Sequence, residues 1–430
     1  MAAENGISAR KPWNMGEDWA SVAIGFTLIV FVIAAGYTIT TPSFGGKAGW
    51  NDYTGIVNVF NSRSLFISLL STLLIFGVAS ILGMVLSGKR LKNFITGFIV
   101  VCLLAFLAQF LSSFTGFKNL GLETVIFSLA LGLLIGNLVK LPGWLKAGAQ
   151  SEFYVKTGLV LLGSTILFGD ILSAGSFGLI QAVIVVVAVW YFTFWIARKM
   201  KVDDEFATML ASGVSICGVS AAIATAGAIN GDKKKLSFII SIVLIVAIPM
   251  MVLMPALAKW IGLSEMVTGA WMGGTIDTTG AVVAAGTIAG ETGLKYATIV
   301  KFSQNVLLGV AAFLISVYWA YRSKGENGRE RVSLRVIWER FPKFVLGFII
   351  ASLVFSFLLE PETAKSTGKV MKSFANFWFN LAFISIGLET RFADLKAMDS
   401  KKPLYAFLIG QTFNIIFTLI IAYLLFHVLS

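Results

Sequence analysis

Charged residues make up only 13% of this 430-residue sequence, where an ordinary soluble protein carries roughly a quarter. With 57% hydrophobic residues, that deficit excludes a soluble domain. Histidine occurs once, as His427, and cysteine twice, as Cys102 and Cys217. One histidine gives no material for a Ser-His-Asp triad or a His-based metal centre. Two cysteines, each inside an apolar run, make neither a disulfide framework nor a zinc site. No Walker-type phosphate loop occurs, which leaves ATP-driven pumping without a motif. The stretch GAVVAAGTIAG is not a strand–turn–helix and so is no dinucleotide fingerprint. No regular array of charges marks a voltage sensor. The reading is therefore no metal, no cofactor and no enzyme.

What the chain does have is apolar length. Runs of about 20 apolar residues, enough to span hydrocarbon, recur from end to end. They predict an all-α polytopic membrane protein with roughly 11–13 membrane segments. The balance of 34 Lys+Arg against 22 Asp+Glu gives +12. Nucleic acid is not the expected partner, because the basic residues sit in short loops between spans and are not interleaved with aromatics. They read instead as the positive-inside rule. The hydrophilic stretch 322–340, with Arg322, Lys324, Arg329, Arg331, Arg335 and Arg340, is then cytoplasmic. The loops carrying Lys89, Arg90 and Lys92, then Arg198, Lys199 and Lys201, then Lys396, Lys401 and Lys402 fall on the same side. Counting back puts the N-terminus inside and the C-terminus outside a cell membrane. Residues 1–120 read as N-terminal scaffold helices and 121–430 as the main body.

One loop breaks this pattern. Lys233, Lys234 and Lys235 would be external if 206–229 crossed as a plain helix. Either the triple lysine departs from the rule, or 206–229 is a broken or re-entrant element that returns to its own side. If 266–289 does the same from the other side, every later loop keeps its place. These two segments are also unusual in content. From Ala211 to Asn230, fourteen of twenty residues are Gly, Ala, Ser, Thr or Cys, in a place where lipid contact alone favours Leu, Ile and Phe. A weak internal repeat points the same way. Residues 158–171, GLVLLGSTILFGDI, align on 382–395, AFISIGLETRFADL, with Gly163/Gly387, Phe168/Phe392 and Asp170/Asp394 identical. Their opposite entry fits the inverted-topology repeats of secondary transporters.

A charge inside a membrane segment is expensive and functional by default. Asp277 lies at the centre of MGGTIDTTGAVVAAG. It is the candidate ion-coupling residue, together with Lys301. Thr275, Thr278 and Thr279 beside it supply hydroxyls, and Gly273, Gly274 and Gly280 let the backbone unwind. Lys301, Gln304 and Asn305 share one helical face, with Ser303 between them. In the first segment Ser215, Cys217 and Ser220 cluster around Gly218. A break there exposes the N-terminus of the following half-helix, a ready anion site. The substrate-binding candidates are thus Ser215, Cys217, Gly218, Ser220, Thr275, Thr278, Thr279, Lys301, Ser303, Gln304 and Asn305. Plainer accounts stand beside each: small residues let helices pack closely, and an Asp277–Lys301 ion pair could only staple two helices.

The series LLGSTILFGDI, SICGVSAAIATA, GTIDTTGAVVAAG, VKFSQNVLL and SIGLETRFADL resembles the YeiH-like sulfate-exporter family, over about residues 120–430. The resemblance implies a secondary transporter related in fold to the cation–proton antiporter and bile-acid symporter group. It also implies a homodimer and a core in which interrupted segments, here 206–229 and 266–289, meet at the midplane. The chain departs from the family pattern at two places: Ile276-Asp277 stands for His-Asp, and Lys301-Phe302-Ser303-Gln304 for Lys-Leu-Thr-Arg. Gln304 lacks the bidentate fork that suits an oxyanion, so a monovalent sulfonate or carboxylate stands beside sulfate as substrate. The expectation is an alternating-access transporter of a small anion, coupled to H+ or Na+ and possible as an exporter. A cation–proton antiporter using Asp277 and a non-transporting membrane sensor are the alternatives. Membrane lipid is the only other partner expected.

Overall fold

The computed structural model describes residues 15–35, 41–45, 49–119, 124–229, 231–322, 338–339, 341–391 and 401–429. Among these there is no strand; one isolated bridge pairs Trp50 with Phe114. The helices are α1 (Glu17–Ala34), α2 (Tyr53–Phe60), α3 (Arg63–Leu86), α4 (Phe94–Ser112), α5 (Thr115–Asn119), α6 (Thr124–Leu138), α7 (Gly143–Gly148), α8 (Ser151–Gly163), α9 (Phe168–Lys199), α10 (Asp204–Ser215), α11 (Val219–Ile229), α12 (Lys233–Trp260), α13 (Glu265–Thr275), α14 (Thr279–Ala289), α15 (Glu291–Arg322), α16 (Lys343–Leu353), α17 (Pro361–Glu389) and α18 (Lys402–Tyr423). Seven helices among the described residues are long and apolar enough to cross a membrane. The protein is a multi-pass, all-α membrane protein.

Packing divides the chain into two compact units, each assembled from separated stretches of sequence. The first takes the residues up to Ser128, Leu141–Thr165 and Lys343–Ser385; the second takes Leu129–Lys140, Ile166–Pro342 and Ile386–Ser430. Residues 1–120 thus share a unit with two later stretches, and 121–430 contributes to both. In the first unit Phe76 sits against Phe374, Phe377 and Trp378, and Phe153 and Tyr154 pack on Trp378. One side of α3 is exposed through Phe66, Leu70, Leu74, Val78, Leu82 and Val85. A continuous apolar stripe of this kind suits lipid. At one end Lys156 bridges Glu17, Asp18 and Glu152, and Lys89 also reaches Glu17.

The second unit is built around two helical hairpins. Asp203 caps α10 by accepting from the Phe206 N–H, and Asp204 and Glu205 in the first turn suit the positive helix end. α10 stops at Ser215, and the chain turns through Ile216, Cys217 and Gly218 before α11 begins. Gly218 holds φ 60°, the left-handed region that side chains with a Cβ avoid. α11 then runs back. Its far end delivers Asp232, whose N–H meets the Glu205 carboxylate, and Lys235, whose Nζ lies 2.8 Å from Asp203 Oδ1 and 2.9 Å from Glu205 Oε2. Start and finish of this segment are therefore side by side, and 206–229 is re-entrant rather than crossing. The Lys234–Lys235 turn lies at the same end of the unit as Arg198, which pairs with Asp204. The anomaly in loop charge disappears.

The second hairpin repeats the device. Ser264 caps α13, the helix breaks at Ile276, and Thr278 caps α14 by accepting from the Ala281 N–H. The chain returns to Gly290, where an added Cβ would stand 3.0 Å from the Glu265 carboxyl. Helix α12 joins the two hairpin bases. Its 28 residues span about 42 Å, so the hairpins enter from opposite ends. Arms of 11 or 12 residues reach about 17 Å, near half of a hydrocarbon core of about 30 Å. Gly269 and Gly273 lie so close to α15 that a Cβ would come within 2.4 Å of Gly293 O and 2.5 Å of Ala297 O. Small residues in this segment thus do serve close packing. Of the 158–171/382–395 repeat, Phe392 and Asp394 lie outside the described residues, as do most of the basic stretch 322–340 and Lys396.

Candidate functional site

The two hairpin tips meet in the interior of the second unit. A Cβ built on Gly218 would lie 3.1 Å from Asp277 Cβ and 3.2 Å from Asp277 O, so the turns touch. Each tip ends a half-helix, and each therefore presents backbone carbonyls that have no partner within their own helix. These carbonyls are met by amide and ammonium groups from α15 and α18. Lys301 Nζ donates to Ile216 O at 2.8 Å, Ile276 O at 2.8 Å and Gln304 Oε1 at 2.9 Å. Gln304 Nε2 donates to Ser215 O at 2.8 Å and Gly274 O at 3.1 Å. Asn414 Nδ2 donates to Val214 O at 3.1 Å and Thr275 O at 3.2 Å. Each of the three thus links one tip to the other.

The pairing follows a correspondence between the hairpins. With Ile216 laid on Ile276, Ser215 falls on Thr275 and Cys217 on Asp277. Gly213/Gly273, Ala221/Ala281 and Ala224/Ala284 are then identical. Lys301 binds the equivalent carbonyl on both tips. The carboxylate exists on one tip only.

Asp277 is 1% exposed, and neither of its carboxyl oxygens has a hydrogen-bond partner among the described residues. Gln411 lies beside it, but the Gln411 amide N–H groups go to Thr275 O and Met250 Sδ. The three donors of the Lys301 ammonium are all in use, and no ion pair joins Lys301 to Asp277 within 4.0 Å. The stapling ion pair entertained from sequence is therefore not formed. A buried carboxyl without a donor is stable only with a proton or a counter-cation. Ser215 Oγ, Thr275 Oγ1, Asn305 Oδ1 and Gln411 Oε1 are buried oxygens that also have no partner among the described residues.

Most of the expected residues come together here. Ser215, Cys217, Gly218, Thr275, Asp277, Lys301, Gln304 and Asn305 are buried at or beside the tips. Asn305 Nδ2 reaches Thr279 Oγ1 at 3.3 Å. Thr278 and Thr279 are half-buried and Ser220 is exposed. All three lie at the starts of α11 and α14, so the N-terminal ends of both half-helices border accessible space. Ser303 does not join them: its hydroxyl turns back to Ile299 O at 3.0 Å, beside Gly178 of α9. Two residues along a helix is a rotation of about 200°, which carries Ser303 off the Lys301 face. The sequence reading missed Gln411, Asn414 and Thr418 on α18, whose spacing puts them on one face. It also missed Gln181, which donates to Ala270 O at 2.8 Å. The available signal was a set of lone amides and hydroxyls in otherwise apolar spans.

A family model described as conserved hypothetical protein 698 matches residues 96–406. A UPF0324 membrane protein of Rhodopirellula baltica is 41% identical over 350 residues, covering 79% of this chain and 64% of its own length. A UPF0324 membrane protein of Nitratidesulfovibrio vulgaris is 39% identical over 374 residues, covering 84% of this chain and 64% of its own. A more distant one, from Nitrosomonas europaea, is 29% identical with 91% of each chain covered. The chain thus spans less than two thirds of the first two of these relatives. No solved structure matches.

Proposed function

Given a chain that belongs to the UPF0324 membrane protein family, we propose that it is a secondary active transporter of a small anion, coupled to H+ or Na+ at Asp277. The observation that carries this reading is the charge balance at the hairpin tips. Two half-helix N-termini contribute about +0.5 each and two C-termini about −0.5 each. Lys301 adds one positive charge and an ionised Asp277 one negative, so the centre is neutral. When Asp277 takes a monovalent cation, about one positive charge is left over. One negative charge, placed against the starts of α11 and α14, restores the balance. Ser220, Thr278 and Thr279 are the hydroxyls at that place. Cation and anion then favour each other's binding, which is the requirement for coupling.

The same balance favours a monovalent oxyanion, a sulfonate or a carboxylate over sulfate, in keeping with Gln304 in the place of an Arg fork. Loop charge supports a cytoplasmic N-terminus in a cell membrane, and the sequence resemblance supports a homodimer and an export role. The test is flux in proteoliposomes, with sulfate, sulfite, thiosulfate, taurine and dicarboxylates as candidates. Coupled flux should vanish in Asp277→Asn while the purified variant keeps its melting temperature within about 2 °C. Wild-type flux by that variant refutes the assignment. A cation–proton antiporter is the second reading, favoured by the buried oxygens without partners around Asp277. It predicts Na+ or K+ flux down a dilution gradient that is indifferent to the presence of anions.

A further inference from the structure

The Lys301 ammonium stands where a free cation would be expected. Ile216 and Ile276 follow the last residues of α10 and α13, so their carbonyls lie at the negative ends of two half-helices. Two such ends facing each other, with carbonyls released from unwound backbone, make a site for a hard monovalent cation. Here the ligands are Ile216 O, Ile276 O and Gln304 Oε1, at 2.8, 2.8 and 2.9 Å from Lys301 Nζ. Lys301 is 1% exposed, and its aliphatic stem reaches the tips from α15. The same carbonyls would therefore have to be given up by the ammonium before Na+ could use them. A second full positive charge a few ångströms away in a buried setting is strongly disfavoured.

We propose that Lys301 is a tethered cation that permanently fills the ion site between the hairpin tips. The tips are held together without bound Na+, and the proton at Asp277 is left as the coupling ion. Only the coupling clause rests on the transporter reading. The occupancy clause concerns the folded protein alone and is tested without any flux.

The test uses the purified full chain in detergent. For the wild type, melting temperatures in NaCl, KCl and choline chloride of equal ionic strength should coincide. Lys301→Ala removes the stem and ammonium but leaves the carbonyl ligands in place. It should melt lower in choline chloride and regain at least about 2 °C, saturably, with propylammonium chloride or NaCl. Lys301→Met fills the channel of the stem with an uncharged chain and should gain nothing from either salt. A saturable rise of the wild-type melting temperature with Na+ overturns the proposal. So does a Lys301→Ala protein that responds to no cation. If Lys301→Ala does not fold, the wild-type Na+ series still decides. In proteoliposomes, flux driven by a pH gradient and not by a Na+ gradient supports the coupling clause, and Na+-driven flux overturns it. Absence of flux under either gradient is a failure of the transporter reading and leaves the melting result to judge the occupancy clause.

Discussion

At the scale of single residues, Gly218, one position after the centre of the first turn, and Gly213, four positions before it, make a controlled comparison. Gly218 has φ 60°, and a Cβ there would meet Val243 Cγ1 at 2.7 Å and Asp277 Cβ at 3.1 Å. Gly213 is helical, and its nearest neighbour would be Ile239 Cγ2 at 3.4 Å. Gly218→Ala should therefore cost about 1–2 kcal/mol from the left-handed backbone alone, and more from the clash. Gly213→Ala should be close to neutral. Melting temperatures of the two variants check this, and equal values would show that the turn is not strained. The break at Gly218 and the shared face of Lys301, Gln304 and Asn305 were both legible in the sequence, since glycine content and helical spacing are local properties. What Lys301 touches was not. Two of its three partners are backbone carbonyls from other segments of the chain, and a carbonyl has no letter in a sequence.

At the scale of elements, the hairpins were legible as irregular segments, broken or re-entrant, with nothing in the sequence to choose between the two. Loop charge admitted two repairs, and the Lys235 contacts with Asp203 and Glu205 distinguish them. With Cys102 and Cys217 replaced by Ala, Lys199→Cys and Lys234→Cys should be labelled by an impermeant maleimide from the same side of the membrane. Labelling from opposite sides would mean that α10 and α11 cross. The base of this hairpin also has a defined acid response. Burial opposes ionisation of Asp203, but the Lys235 ammonium and the Phe206 N–H prevail and hold its carboxyl below the usual range. The N–H groups of Lys235 and Lys234 do the same for the exposed Asp232. A carboxyl whose folded pKa is depressed stabilises the fold above its unfolded value, about 3.9, and that contribution is lost as pH falls through the folded value. The melting difference between wild type and Asp203→Asn should accordingly be constant near neutrality and shrink below about pH 4. The correspondence of Ile216 with Ile276 escaped the sequence reading because its identities are mostly Gly and Ala, which any close-packed membrane helix contains.

At the scale of the whole molecule, the charge arithmetic predicts stoichiometry. If an anion settles only when Asp277 holds a proton, then at a pH high enough for the free protein to have lost that proton each anion bound should take up about one, because linkage is reciprocal. Mixing a tight-binding anion with concentrated protein in weak buffer should raise the pH by that amount, and Asp277→Asn should abolish the rise. The all-α, multi-pass class was legible from apolar length alone. The division into two units was not, because each is stitched from three separated stretches of sequence, and composition does not change where the chain passes between them. One consequence of the hairpins remains. Neither tip passes the other, so no backbone runs through the place where they meet. The wall there is a seam, and its fastenings are Lys301, Gln304 and Asn414, side chains carried by α15 and α18 and not by either hairpin. Opening of that seam is thereby placed under the control of helices that do not form it. Sequence change on those two helices can retune how readily the seam parts while the hairpins themselves stay the same.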